Sequence, residues 1–352
     1  MAQDPAIGRP HGRPASRRDV AALAGVAPGT VSLVLNGTPG IRVSAATRKR
    51  IEDAARALAY QSNQTANALA TGRTDAIGVV LNYVQQPFQD YVSGLMDGLW
   101  ETLAPRGLRL VLASGTPEHR AAGLFHRRSV DGIVFIAPPA EADPELDSIA
   151  AARFPAVCIG SRPSHPGLAC VDIDNAGAGR QATNALIDAG HRRILHLAGP
   201  LSVNTSARER LAGYRSALAT AGIPEDPALI HDCSYNGIFA SDAIARILDQ
   251  GTRFTAIFAA NSDMGRGAVT TLVRRGLRIP TDVSVISIDQ DYHAGWHGPE
   301  LTCLAQPLRE IGQVAGQRIL GMIAGSEPSS GSRLLPCRLV VGASMAPPSN
   351  SR

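Results

Sequence analysis

Between residues 16 and 60 the apolar positions recur at helical spacing in three short runs. In the first, Val20, Leu23 and Ala24 make one face, and Ser16 and Asp19 stand at the spacing of a capping box, which predicts a helix starting at Arg17. Gly25 supplies the left-handed residue that a sharp helix–helix turn needs. Pro28 suits the first position of a second helix, with Val31, Val34 and Leu35 inward and Gly29, Thr30, Ser32 and Leu33 outward. The third run, capped by Ser44, lines Ile51, Ala54, Ala55 and Leu58 along one face. Two short helices on a glycine turn with a third beside them predict an all-α helix-turn-helix unit over residues 16–61. Residues 1–15 carry no periodicity and read as a disordered tail.

From Ile77 the rhythm changes to short apolar runs alternating with helical stretches. Residues 77–81, 108–112, 133–137, 156–160 and 168–173 read as strands, with helices at 89–104, 118–128 and 144–153 between them. The alternation restarts after Asn175, with strands at 194–198, 256–260 and 283–288 and helices near 176–189, 205–221, 237–250 and 263–275. Strands alternating with helices imply parallel, doubly wound sheets, and two successive sets imply two lobes. Segments 302–306 and 333–341 are expected to cross between the lobes, with a helix at 308–324. That divides residues 75–345 into an N-lobe of about 75–174 plus 306–330 and a C-lobe of about 175–305 plus 331–345, followed by a tail at 346–352. Two such lobes turn their strand C-termini toward a shared cleft, where small ligands bind.

Residues 62–74 join the two parts. Ala66, Ala68, Leu69 and Ala70 favour helix and Gly72 ends it, yet the stretch is too short to hold a helix alone in water. A segment that can fold only against a partner suits folding on binding.

Charge sharpens the division. Residues 1–74 hold ten Lys/Arg against four Asp/Glu, while the remainder holds 24 against 26. A basic end on a near-neutral body points to a polyanion partner for that end alone. No run of about 18 apolar residues marks a membrane span, and no apolar h-region marks a secretory signal, so a cytoplasmic protein is expected. The cysteines Cys158, Cys170, Cys233, Cys303 and Cys337 form no Cys-x-x-Cys pair and read as buried reduced thiols. Neither they nor the histidines are read as a metal site.

Enzyme signatures are missing. There is no Gly-x-x-x-x-Gly-Lys-Ser/Thr loop, and Lys49 is the chain's only lysine. No Gly-x-Gly-x-x-Gly follows the first strand, and no Gly-x-Ser-x-Gly elbow occurs. A binding protein without catalytic function or cofactor is expected.

The residues Asp19-Val-Ala-x-x-Ala24-Gly-Val, Thr30-Val-Ser-x-Val34-Leu-Asn-Gly37, Val43-Ser-x-x-Thr47-Arg and Leu58-Ala-Tyr60 resemble the headpiece of the lactose-repressor (LacI) family, and the likeness runs on to about residue 345. The resemblance implies a ligand-responsive transcriptional repressor, dimeric, with a body like periplasmic sugar-binding proteins. It implies that Arg17, Thr30, Ser32, Leu33, Asn36 and Arg42 contact a pseudo-palindromic double-stranded DNA operator. Residues 62–74 would form a hinge helix in the minor groove, with Asn63 and Ala66 beside a Leu69 wedge that kinks the duplex. In the body it implies that Arg208, Asn261 and Asp289 hold the effector. Tyr83, Phe88 and Trp296 would supply aromatic faces. Charged and amide groups around aromatic faces suit a polyhydroxylated ligand such as a sugar or sugar derivative. A transport-type binding protein would share the body but lack the headpiece.

The chain departs from the family pattern in places. Gly160 stands where an aspartate is usual, Ser262 follows Asn261 where an acid is usual, and Gly342 stands where an arginine is common. Leu33 takes a position that often carries a base-reading arginine or histidine. Base choice is therefore expected to lean on Thr30, Ser32, the hinge and DNA shape.

Overall fold

The computed structural model describes residues 15–35, 40–60, 68, 72–82, 90–114, 122–141, 143–163, 165–290 and 298–349. The chain divides between Thr74 and Asp75 into two compact units.

The first unit contains α1 (Arg17–Ala24), α2 (Pro28–Leu35) and α3 (Ala45–Ala57). The capping box forms: Asp19 N–H donates to Ser16 Oγ, and Ser16 N–H donates to the Asp19 carboxylate at 2.7 Å. Gly25 ends α1 at φ 64°, its N–H turned back to the Ala21 and Ala22 carbonyls. α1 and α2 meet at 101°, the angle of a helix-turn-helix pair. Val20, Ala21, Ala24, Val31, Val34, Ile51 and Ala54 make the core, with Leu35, Ala55 and Leu58 packed against it. Leu23 is not part of it. It is 57% exposed, and Ala21 takes the inner place. At about 100° per residue, a face centred between 20, 21 and 24 leaves position 23 about a quarter-turn away.

The second unit holds two six-stranded sheets. The first runs β11–β5–β4–β3–β1–β2, from β1 (Ala76–Leu81), β2 (Arg109–Ser114), β3 (Gly132–Ile136), β4 (Ala156–Ile159), β5 (Ala169–Ile173) and β11 (Gly331–Leu335). The second runs β12–β10–β9–β8–β6–β7, from β6 (Ile194–Ala198), β7 (Ile230–Asp232), β8 (Ala256–Ala259), β9 (Ser284–Ile288), β10 (Thr302–Ala305) and β12 (Arg338–Val340). Every described pairing is parallel except β10–β12. β3 and β6 are buried along their whole length, as strands covered on both faces must be.

The helices of this unit are α4 (Asp90–Leu103), α5 (Ala122–His126), α6 (Pro144–Ala151), α7 (Asn175–Asp188), α8 (Thr205–Thr220), α9 (Gly237–Asp249), α10 (Ser262–Arg274) and α11 (Leu308–Ile323). Three short segments cross between lobes: Asp174 outward from β5 to α7, Gln306–Pro307 back from β10 to α11, and Pro336–Cys337 outward again. Residues 333–341 are therefore two strands in different sheets. β11 pairs with β5, so the N-lobe return reaches Leu335 instead of ending at 330. The proline supplies the break, since it has no N–H for a ladder. β7 has no counterpart in the sequence reading, because three half-exposed edge residues carry no apolar run.

Candidate functional site

The helix-turn-helix face comes first. Arg17 on α1 donates to the Ser32 hydroxyl on α2 at 2.6 Å, so two residues expected to meet DNA are already joined across the motif. Leu33 is 43% exposed, Arg42 is exposed, and Thr30 is half-buried. Arg18, Lys49 and Arg50 add exposed cations. Exposed guanidiniums around a 101° helix pair can bind phosphate oxygens while the second helix meets base edges. Asn36, Asn63, Ala66 and Leu69 lie outside the described residues. Within the linker Ala68 is helical, and Gly72 at φ 70° donates its N–H to the Ala68 carbonyl, an i→i−4 helical bond.

The body carries a cavity of about 690 Å³ between its lobes, at the C-terminal ends of the strands. Asn82 follows β1, Ala137 follows β3, Gly160 follows β4, and Asn261, Asp289 and Gln306 follow β8, β9 and β10. Positive φ angles gather here: Ala137 at 51°, Ser234 at 51°, Tyr235 at 56° and Asp289 at 69°. Non-glycine residues in this region carry strain that the surrounding structure must hold, and such strain clusters at functional sites.

Two expected residues meet in this cavity. Asn261 does two jobs: its Oδ1 accepts the Met264 N–H as the cap of α10, and its Nδ2 donates to the Tyr235 carbonyl at 3.0 Å. Asp289 is buried, with Oδ1 taking the Gln306 amide N–H at 2.7 Å. Burial pushes its carboxyl up to about 6, against the downward pull of Arg210 and the Gln306 hydrogen bond.

The expected arginine is displaced. Arg208 is not among the described lining residues; it donates to the carbonyls of Leu201 and Ser202 and faces Glu141 at 3.5 Å, with its side chain 45% exposed. Arg210 takes the cavity position. It is buried, donates Nε–H to Asn175 Oδ1 at 2.8 Å and Nη1–H to the Ala260 carbonyl, and lies 5.7 Å from the Tyr235 ring centre. Residues two apart on a helix point in nearly opposite directions. The close approach of α7 and α8 makes the Asn175 contact: a Cβ at Gly179 would strike the Arg210 carbonyl, and one at Gly213 the Ala176 carbonyl. Tyr83, Phe88 and Trp296 lie outside the described residues.

Tyr91, Tyr235, Asn204 and Gln306 also line the cavity and have no part in the sequence reading. Gly160, at φ 71°, explains one departure from the family pattern: a Cβ there would strike the Tyr91 hydroxyl, so a tyrosine from α4 fills the space of the missing side chain. Gly342 explains another, since a Cβ would strike the backbone of Glu300 and Leu301. Of the five cysteines, four are buried and Cys337 is half-buried. Among the described residues, no His/Cys/Asp/Glu cluster could hold a metal ion, and no single helix is long and apolar enough to cross a membrane.

A basic helix-turn-helix unit joined to a two-lobed body with a polar interlobe cavity defines a ligand-responsive DNA-binding regulator. Residues 18–63 match the lacI family of bacterial regulatory proteins, and residues 164–345 match a periplasmic binding protein-like domain. The HTH-type transcriptional regulator CelR of Thermobifida fusca is 36% identical over 332 residues, covering 92% of this chain and 96% of that protein. The HTH-type transcriptional repressor CytR of Escherichia coli (strain K12) is 31% identical over 331 residues, covering 93% and 95%. The crystal structure of the Lac repressor dimer bound to operator and the anti-inducer ONPF superposes with a TM-score of 0.83 at 28% identity, covering 95% of this chain and all of that one (100%). A CelR–cellobiose complex superposes with a TM-score of 0.69 at 33% identity, covering 94% and 99%. The chain belongs to the LacI family of transcriptional regulators and is not an enzyme.

Proposed function

We propose that this regulator is a homodimeric repressor that binds a pseudo-palindromic operator and releases it in response to a sugar held between its lobes. The observation that carries the effector class is the cavity itself. A buried carboxylate (Asp289), a buried guanidinium (Arg210) and amides at successive strand ends face two tyrosine rings within about 690 Å³. That volume falls within the roughly 300–1,000 Å³ of pockets that enclose drug-sized ligands, which suits a disaccharide. The relative complexed with cellobiose supports the same class.

On the DNA side, Arg17, Thr30, Ser32, Leu33, Asn36 and Arg42 are assigned to the operator face. Asn63, Ala66 and Leu69 are assigned to a hinge helix in the minor groove. In the body, Asn261 and Asp289 keep their assignment, Arg210 replaces Arg208, and Tyr83, Phe88 and Trp296 remain candidates for the aromatic walls.

The test is fluorescence anisotropy of the full chain on labelled DNA from its own promoter region, titrated with neutral mono- and disaccharides. A sugar that lowers operator affinity supports the proposal. A full panel that neither binds nor changes operator affinity refutes the effector class.

A further inference from the structure

Several side-chain donors of the cavity are engaged by the protein itself. Arg210 spends Nε–H on Asn175 and Nη1–H on the Ala260 carbonyl. Asn261 donates to the Tyr235 carbonyl, Asn204 to the Gly160 carbonyl at 3.4 Å, and Ser206 to the same carbonyl at 2.9 Å. Two acceptors are left short. Gln306 is 7% exposed and gives its amide N–H to Asp289, while its carbonyl oxygen has no partner among the described residues. Among those residues no donor reaches the second carboxylate oxygen of Asp289. Buried acceptors of this kind cost free energy unless something donates to them.

Charge points the same way. Arg210 is the one cation among the described lining residues. Behind it lies a second buried carboxylate, Asp172, 3% exposed and held by the Ile173 N–H and the Asn175 amide N–H. Two carboxylates therefore already face one guanidinium, and burial raises the pKa of each. The neighbouring cations are committed elsewhere: Arg208 to Glu141, and Arg266 to Asp90 and Asp263.

Resting on the sugar reading above, we infer that the effector is an uncharged polyol and that the cavity rejects its phosphorylated and carboxylated counterparts. Hydroxyls both donate and accept, so they satisfy Gln306 and Asp289 and still take what Arg210 has left. A phosphate or carboxylate only accepts when ionised. It donates to neither acceptor itself and adds a third negative charge beside a single guanidinium. Like charges brought together in a desolvated site lower affinity steeply.

The test is calorimetry on the full chain with matched probes: cellobiose, trehalose, sucrose and maltose, each beside its 6-phosphate, with cellobionate added. The expected result is that at least one neutral disaccharide binds and its phosphate binds more than about 100-fold more weakly. Asp289→Asn, checked by its melting curve, should narrow that gap by removing a cavity-facing charge. A phosphate or acid that binds as tightly as its neutral partner overturns the charge selectivity and leaves the sugar reading standing. Failure of every sugar, charged or neutral, overturns both.

Discussion

Arg208 and Arg210 share one turn of α8 but lie in opposite environments, which makes them a matched pair for mutation. Arg210→Ala should lower stability by about 3 kcal/mol or more, because it strands Asp289 and Asp172 without their counter-charge. Arg208→Ala should cost under about 1 kcal/mol, since its ion pair with Glu141 is half-exposed. Urea melts of the two variants measure this, and equal losses would contradict the placement. Arg210 was legible in the sequence through helix periodicity. Ala207, Leu211, Tyr214 and Leu218 form the buried stripe of α8, and position 210 falls on it while 208 does not. The motif Arg-Glu-Arg by itself does not separate Arg208 from Arg210, and only Arg210 is among the described lining residues. Tyr235 was illegible, because its ring is placed by a two-residue left-handed turn that no apolar pattern marks. Asp289 carries a pH dependence. Hydroxyls that donate to it favour its ionised form, and burial pushes its carboxyl up to about 6 against the downward pull of Arg210 and the Gln306 hydrogen bond. Effector affinity should therefore be flat above pH 7 and fall, by up to about tenfold per unit, as pH drops below 6. A calorimetric pH series that stays flat down to pH 5 would rule this out.

At the level of elements, local signals carried most of the fold. The Ser16–Asp19 capping box, Gly25 and Ser44 set the ends of α1 and α3 as expected, because caps act through neighbours in sequence. The fully buried strands were legible as apolar runs for the same reason. What sequence could not separate was sheet membership: β11 and β12 read as one strand until pairing partners are known. The linker supplies the next expectation. If residues 62–74 fold in the minor groove, Leu69→Ala should weaken operator binding far more than binding to scrambled DNA, since only a kinked duplex accepts the wedge. Equal losses in paired titrations would show that Leu69 is only a spacer. The basic first unit adds a salt signature. Each phosphate contact made by Arg17, Arg42 or their neighbours releases counterions, so log affinity should fall linearly with log salt. A salt-independent affinity would remove the operator face from these helices.

For the whole molecule, the lobes are tied by contacts that run past the cavity. Arg162 pairs with Glu209, and its N–H donates to Thr205 at 2.7 Å. Asp90 faces Arg266 at 3.5 Å from the other lobe. The chain itself crosses between the lobes three times, just before α7, just before α11 and at Pro336–Cys337. A ligand that bonds both lobes must favour one arrangement of them over others, and only such differential binding can shift operator affinity. Couplings of this kind are typically about 1–3 kcal/mol, or roughly 5–150-fold in affinity. The most direct measurement is operator affinity by fluorescence anisotropy, with and without a neutral disaccharide that calorimetry shows bound at one per chain. The expected result is a change of at least about fivefold in the wild type, lost in a folded Asp289→Asn variant whose affinity for operator alone is unchanged. Unchanged operator affinity in the wild type, with the disaccharide demonstrably bound, would contradict a ligand-responsive regulator read from this cavity.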